Sequence, residues 1–157
     1  MSDAIDDPVL GHLIAHEVLT GAYTGSLMFG GRQVDLRIDP DGGDMEICLG
    51  VARETIGALS AIDRKARTVA AASLLTTYNE NWRCFDEKDE SGVFKEHERP
   101  VLAEEEFMST IVLESVGVTG KMVEFWYSDA DLFWGHSINV VSFDGVVFSD
   151  TDVSLFG

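Results

Sequence analysis

The segment that decides the fold is residues 132–156, LFWGHSINVVSFDGVVFSDTDVSLF. Two runs rich in β-branched and aromatic residues flank the pair Asp144-Gly145 in this segment. An Asp-Gly pair favours the two-residue turn of a β-hairpin, because both central residues of that turn need positive φ. The sequence therefore predicts an antiparallel hairpin that reverses its direction at this pair.

A two-residue turn would set Phe143 opposite Val146, and the earlier pairings follow by counting backwards. Side chains alternate along a strand, so one face would carry Ser142–Val147, Val140–Ser149, Ile138–Thr151, His136–Val153 and Trp134–Leu155. This face is mostly apolar, so we expect it to face the core and to bury the His136 imidazole. The other face would be polar, pairing Ser137 with Asp152 and Asn139 with Asp150.

Two further stretches show the β pattern. Residues 111–127 continue it upstream of the hairpin, around a turn at Thr119-Gly120. Residues 24–39 form two alternating runs around Gly30-Gly31, and in the second run apolar side chains lie on one face and polar side chains on the other. This pattern predicts a second hairpin with one wet face.

The middle of the chain shows helical spacing. Asp44 is suited to cap a helix, and apolar residues recur every three or four positions as far as Trp82. One helix of that length would be unusual, so we predict two helices that meet near Ile62-Asp63, where Asp63 would cap the second. Helical spacing of apolar residues predicts a short helix at 7–20, and a stretch of mixed charge predicts a solvated loop near 85–100. A run of three Glu residues is favourable near the start of a short helix, which we predict at 103–110.

Together these elements predict an α+β fold. The expected architecture is an antiparallel sheet, made of the N-terminal hairpin plus three to four C-terminal strands, packed against two central helices. The chain has 157 residues, of which 45% are hydrophobic, so it can bury a substantial core. We therefore expect one domain over residues 1–157.

The chain is strongly acidic, with 28 Asp and Glu against 11 Lys and Arg and a formal net charge of −17 at pH 7. No Lys or Arg precedes Arg32 or follows Lys121. Such a charge disfavours nucleic acid and anionic membranes as partners and favours a basic protein. The alternative is that the charge maintains solubility, as it does in salt-rich habitats.

Compartment and redox state follow from what the sequence lacks. Cys48 and Cys84 fit neither a CxxC site nor a disulfide framework. The N-terminus has no cationic secretory signal, and no apolar run approaches the roughly 20 residues that span a bilayer. We expect a cytoplasmic protein. The free edges of the predicted sheet leave a homodimer open.

The best candidates for a ligand site are His136, Trp134 and Trp82. A lone imidazole among aromatic residues can act as a base or orient a ligand, but the predicted register makes a buried, structural histidine the more frequent outcome. The sequence assigns no nucleophile to this histidine, and we predict no catalytic residue. The glycines form no nucleotide-binding pattern, so no cofactor is expected.

No metal site is predicted, although three pairs of residues have a spacing that metal ligands can have. His12 and His16 stand four apart on the expected helix but lack a third ligand. Asp150 with Asp152 is the alternative for a hard cation, and Asp129 with Asp131 has the same spacing. Turn formation and a solvated hairpin face explain these carboxylates without a metal.

The C-terminal segment resembles a bacterial family of uncharacterised proteins, domain of unknown function 2262. The residues that carry the resemblance are Ser128-Asp129, Asp131-Leu132-Phe133-Trp134-Gly135-His136-Ser137-Ile138, Val140, Asp144-Gly145 and Leu155-Phe156-Gly157, and Tyr78-Asn79-Glu80-Asn81-Trp82 is compatible with it. The resemblance implies a bacterial, accessory-type protein. It implies no activity, cofactor or catalytic residue.

Two classes of function remain. The first is a non-catalytic interaction or accessory protein whose acidic surface binds a basic protein partner. The alternative is a small-molecule-binding protein or enzyme with a pocket near His136. An accessible cavity beside that ring would favour the second class, and a sealed ring would favour the first.

Overall fold

The structure is a computed structural model that describes residues 4–157. Its strands, in chain order, are β1 Ala4–Asp7, β2 Gly11–Ala15, β3 Tyr23–Phe29, β4 Arg32–Asp39, β5 Cys84–Lys88, β6 Phe94–Glu98, β7 Val112–Thr119, β8 Met122–Ser128, β9 Ser137–Ser142 and β10 Thr151–Phe156. The helices are α1 Met45–Gly57, α2 Leu59–Thr77 and α3 Glu104–Thr110, with a π-helical turn at Tyr78–Trp82 and a 3-10 turn at Gly145–Val147. The predicted α+β class is confirmed.

Eight strands form one sheet in the order β1-β2-β3-β4-β7-β8-β9-β10, and β5 and β6 form a separate hairpin. Every neighbouring pair in the large sheet is antiparallel except β4 and β7, which are parallel. The sheet is therefore mixed, and the expectation of a purely antiparallel sheet is wrong. The reason is the connection, because parallel neighbours require a long crossover, and here the helices and the β5–β6 hairpin supply it.

Helices α1 and α2 cover one face of the sheet, where α1 contacts β4, β7 and β8 and α2 contacts β9 and β10. Alternate residues of the central strands point into this layer, among them Leu36, Val116, Phe125 and Val140, each at most 1% exposed. The face predicted to be apolar in the second run of residues 24–39 is confirmed, because Val34, Leu36 and Ile38 are buried. The core therefore lies between the helices and this one face.

The N-terminal segment forms strands β1 and β2, so the helix predicted at 7–20 is wrong. The Asp7 carboxylate accepts the N–H groups of Val9 and Leu10 at 2.9 and 3.0 Å and closes a turn. Gly11 then adopts φ +80°, which no helix interior tolerates. Burial acts to raise the pKa of Asp7, but those N–H groups and Arg53, 2.7 Å away, outweigh it and lower the pKa.

The two central helices are present, but their boundary is displaced. Asp44 caps α1 as predicted, accepting the Glu46 N–H at 2.8 Å. The junction falls at Ala58 rather than near Ile62-Asp63, and Asp63 lies buried within α2 instead of capping it. Its carboxylate accepts the Tyr127 hydroxyl at 2.6 Å and the Arg67 Nε–H at 2.8 Å, so it joins α2 to the sheet.

Residues 84–98 form the β5–β6 hairpin, where the sequence predicted a charged loop. Most of its side chains are exposed, as the charge predicted. Asp89 organises its turn by accepting the Ser91 hydroxyl and the N–H groups of Ser91 and Val93, and the hydroxyl is the leading cause of the lowered pKa of Asp89. The short helix predicted at 103–110 is confirmed as α3.

The last hairpin exists, but its turn is longer than predicted. Val140 pairs with Val153 rather than Ser149, and Ser142 pairs with Thr151. The intervening loop is held by Asp144, whose carboxylate accepts the hydroxyls of Ser149 and Ser142 and the Ser149 N–H. The Ser149 hydroxyl is the leading cause of the lowered pKa of Asp144. Local hydrogen bonding to this carboxylate therefore prevails over the two-residue turn.

Candidate functional site

The face of the sheet opposite the helices carries an ordered set of side chains. Because the strands are in register, two rows cross it perpendicular to the strands: Ile14, Thr24, Arg37, Gly117, Glu124, Val141 and Asp152, and then Ser26, Asp35, Ser115, Trp126, Asn139 and Ser154. We call this surface the open face. An antiparallel sheet often exposes one polar face to water. Solvation of that face does not require a tryptophan, so Trp126 is the unusual residue of the open face.

A cleft of about 960 Å³ lies over the open face and is lined by residues of both rows. At its centre Gly117 has no side chain, and a Cβ there would lie 3.5 Å from Arg37 Nη2 and 3.6 Å from Glu124 Oε2. Trp126 forms one wall, with its ring centroid 5.2 Å from that of Phe156, which is 52% exposed. The cleft therefore combines a bare backbone floor, an aromatic wall and charged groups.

The two carboxylates of the cleft, Glu124 and Asp35, differ in how strongly other side chains bind them. Arg37 Nη2 lies 3.5 Å from Glu124 Oε2, longer than the 2.7–2.9 Å of a strong charge-assisted hydrogen bond. The other carboxylate oxygen of Glu124 accepts the Asn139 side-chain amide at 3.0 Å. Asp35 is exposed and has no ion pair among residues 4–157. A cation that enters the cleft would thus find one free carboxylate and one weakly engaged carboxylate.

A second unusual region is the loop between β8 and β9. Asp129 is only 2% exposed, and its carboxylate accepts backbone N–H groups of the four residues Asp131, Phe133, Gly135 and His136 at 2.8–3.1 Å. Three non-glycine residues of this loop have positive φ, namely Ala130, Asp131 and Trp134. Each such residue costs about 1 kcal/mol or more, so the Asp129 hydrogen bonds hold a strained backbone.

This loop brings together the three residues that the sequence singled out. The ring centroid of Trp82 lies 4.6 Å from that of Trp134 and 5.6 Å from that of His136. The Trp134 indole N–H donates to the Trp82 carbonyl at 3.2 Å. Trp82 itself ends a π-helical turn, a rare local geometry that is frequent at functional sites.

His136 is placed differently from the prediction. It precedes β9 rather than lying in it, so it does not face Val153 across the sheet. Its ring is partly buried, Nδ1 forms a hydrogen bond with the Phe133 carbonyl, and Nε2 lies beside Gly157. The loop thus holds the imidazole in place. Of the three residues Trp82, Trp134 and His136, Trp134 is the exposed one, with 54% of its surface accessible to solvent.

A cavity of about 590 Å³ lies between this loop and the β5–β6 hairpin. Its lining residues are Cys84, Phe85, Asp86, Arg99, Asp131 and Trp134, so it lies beside Trp134 and does not include His136 or Trp82. Arg99 connects its two sides, since Nη1 donates to the Asp131 carbonyl at 2.6 Å while the guanidinium lies 5.0 Å from the Phe85 centroid. This cavity could not be predicted from the sequence, because the charge of residues 85–100 predicts a loop in place of the hairpin that closes it.

The candidate metal ligands His12, His16, Asp150 and Asp152 do not come together in one site. His12 bonds Asp6 at 2.6 Å on β2, and His16 Nδ1 accepts two N–H groups in the following turn. Asp152 lies in β10 opposite Val141, and Asp150 lies just before that strand, so neither has the predicted pairing with Ser137 or Asn139. Within residues 4–157 no group of three or more His, Cys, Asp or Glu side chains is placed to hold a metal ion.

The fold and these surfaces define a class: a two-layer α+β protein with helices on one face of a large mixed sheet and an open cleft on the other. The family model of DUF2262, described as an uncharacterised protein conserved in bacteria, matches residues 7–149. The chain belongs to this family, which confirms the resemblance seen in its C-terminal segment. No curated protein and no solved structure matches the chain. None of the helices within residues 4–157 is long and apolar enough to cross a membrane.

Proposed function

We propose that this protein is a non-catalytic binding protein whose open face takes a Lys- or Arg-rich segment of a partner protein. The observation that carries the proposal is the cleft itself, an aromatic and acidic depression on the one sheet face that the helices leave uncovered. The formal net charge of −17 adds a long-range field that attracts a basic partner and repels nucleic acid.

The contacts of the cleft suit a cationic side chain. A Lys ammonium or an Arg guanidinium that displaces the Arg37 guanidinium from above Gly117 would pair with Glu124, whose side chain is 17% exposed and only loosely held by Arg37. Asp35 lies in the neighbouring row and can take a second cation of the same segment. Trp126 offers the ring on which a cation or an aliphatic stem packs.

The test uses a short fluorescent peptide of alternating Lys and Ser, with the matching Glu–Ser peptide as the negative probe. Removing two cleft carboxylates by D35N and E124Q should weaken binding of the basic peptide about fivefold to tenfold, since each exposed pair is worth up to about 1 kcal/mol. Binding should also weaken at high salt, which screens exposed charges. Fluorescence anisotropy measures both effects.

The matched control removes two carboxylates from the helical layer by E54Q and E104Q, and both double variants have a formal charge of −15. The control should bind the peptide nearly as tightly as the parent chain. Equal weakening by the two double variants would show that only the overall field attracts the peptide and would refute the proposal. Self-association through the open face, seen as a dimer that D35N/E124Q dissociates in size-exclusion chromatography, would refute it as well.

The second candidate function is small-molecule binding beside the β8–β9 loop. It is favoured by the strained backbone at Trp134 and by the adjoining cavity of about 590 Å³, a size typical of ligand pockets. This candidate uses a different surface from the open face, so the D35N/E124Q variant should leave it intact.

A further inference from the structure

We infer that the cavity beside Trp134 binds a small organic ammonium cation. This inference deepens the second candidate function and does not depend on the open face. Four observations carry it: the exposed ring, its preorganisation, the unpaired carboxylates around it, and the position of the one cation already present.

The backbone conformation that exposes the Trp134 ring is strained. A tryptophan at φ +60° is strained, and a glycine or asparagine would adopt that backbone more easily. The ring is nevertheless 54% exposed, so its burial does not repay the strain. The indole N–H is fixed to the Trp82 carbonyl, and the loop is fixed by Asp129. The fold therefore holds an aromatic face ready at the cavity wall, as a binding site requires.

The cavity carboxylates lack cationic partners. Asp86 and Asp131 both line it, and neither has an ion pair among residues 4–157. Asp86 also lies directly opposite Glu96 in the β5–β6 register, and like charges in such cross-strand pairs repel. A positive charge in the cavity would relieve this repulsion and pair with the Asp131 carboxylate.

Arg99 is the one cation that lines the cavity, and it is already engaged. Its guanidinium contacts the Phe85 ring and donates to the Asp131 carbonyl, so it holds the hairpin against the loop. Two carboxylates against one guanidinium leave the lining negative. An anionic ligand would meet that charge as well as the acidic field of the chain. An ammonium group stacked on Trp134 satisfies the ring and the carboxylates together.

The test is a titration of the full chain with choline, and in parallel with 3,3-dimethylbutan-1-ol, which has the same shape without the charge. The readout is the indole N–H resonance of Trp134 in NMR spectra, assigned with W134F. The indole of Trp126, on the open face, reports any binding of the probe outside the cavity. Choline should shift the Trp134 resonance saturably, and the neutral alcohol should bind at least about threefold more weakly, as expected for an exposed cation–π contact. A peptide carrying trimethyllysine distinguishes a protein-borne ammonium group from a free one.

The D86N/D131N variant should weaken choline binding about fivefold, because both carboxylates lose their charge. Asparagine tolerates positive φ, so the loop should keep its shape at residue 131. E54Q/E90Q, which also removes two carboxylates but both outside the cavity, is the matched control and should bind choline like the parent chain. The inference is overturned if the alcohol binds as tightly as choline, if D86N/D131N binds choline unchanged, or if choline causes no saturable shift at Trp134. Equal binding of the alcohol would leave small-molecule binding standing and remove only the preference for a cation.

Discussion

Replacing Asp129 with alanine should destabilise the protein more than its place in a surface loop would indicate. The carboxylate is buried and accepts four backbone N–H groups between residues 131 and 136. Alanine removes all four acceptor contacts while leaving the strained backbone at Ala130, Asp131 and Trp134 without its support.

The magnitude follows from where those N–H groups lie. Asp131 and Gly135 are exposed, so water can replace the lost acceptor at both, whereas Phe133 is buried and His136 is partly buried. Two N–H groups thus lose a charge-assisted hydrogen bond worth about 1.5 kcal/mol each, which gives a loss of about 3 kcal/mol. For a chain of this length, such a loss lowers the melting temperature by about 6–12 °C.

Urea unfolding followed by circular dichroism gives the free energy directly, and the Trp134 indole resonance reports on the loop alone. D131N is the control, because that side chain is exposed and asparagine suits its backbone, so its stability should change by less than about 0.5 kcal/mol. A D129A protein within about 0.5 kcal/mol of the parent, with an unmoved Trp134 resonance, would refute the view that this carboxylate organises the loop.

Three further perturbations test the interior and its titrating groups. Y127F should cost about 1–2 kcal/mol in urea unfolding because Asp63 loses its buried hydroxyl donor. Burial, followed by the nearby Asp63 charge, raises the pKa of Tyr127 above 10.0, so this stabilisation is present below pH 10 and is lost as the pH rises, a loss that Y127F should not show. On acidification the melting temperature should fall once the pH drops below about 3.8, because the unfolded chain then takes up protons at Asp7, Asp89 and Asp144, whose pKa the folded state lowers. Ellman's reagent should modify one thiol quickly, the exposed Cys84, whereas burial both shields Cys48 and raises its pKa, and C84S should react only after unfolding.

The sequence predicted which side chains of a strand face the core better than it predicted which strands pair and in which register. The hairpin at residues 24–39 has a two-glycine turn and strict alternation in its second strand, so its register and its core face both follow from local rules. The N-terminal strands were missed because Leu13 and Val18 also fit a helical stripe. What decided that segment was the hydrogen bonding of Asp7 to its own turn, a contact that apolar periodicity does not record.

Turn chemistry and alternation could not predict the parallel pairing of β4 with β7. It joins residues about 80 positions apart, such as Asp35 and Ser115, and depends on how the crossover helices pack. The open face could therefore not be assembled from the sequence, since eight of the thirteen residues in its two rows lie on strands after the crossover. Once β4 and β7 are adjacent, Arg37, Gly117 and Glu124 meet in one row without further adjustment.

His136, Trp134 and Trp82 do lie together, but the predicted strand pairing is not what brings them together. Val140 faces Val153 rather than Ser149, a displacement of four residues, and an even displacement leaves each side chain on its own face because alternation has a period of two. Trp134 and His136 precede β9, so alternation does not govern them at all. Their meeting with Trp82 depends instead on a buried carboxylate that follows β8 and folds the next seven residues around itself. If that is so, D129A should separate the two indole rings while the β8–β9 pairing persists. Loss of their close contact in NMR, with the strand cross-peaks retained, would distinguish this cause from a role of the sheet itself.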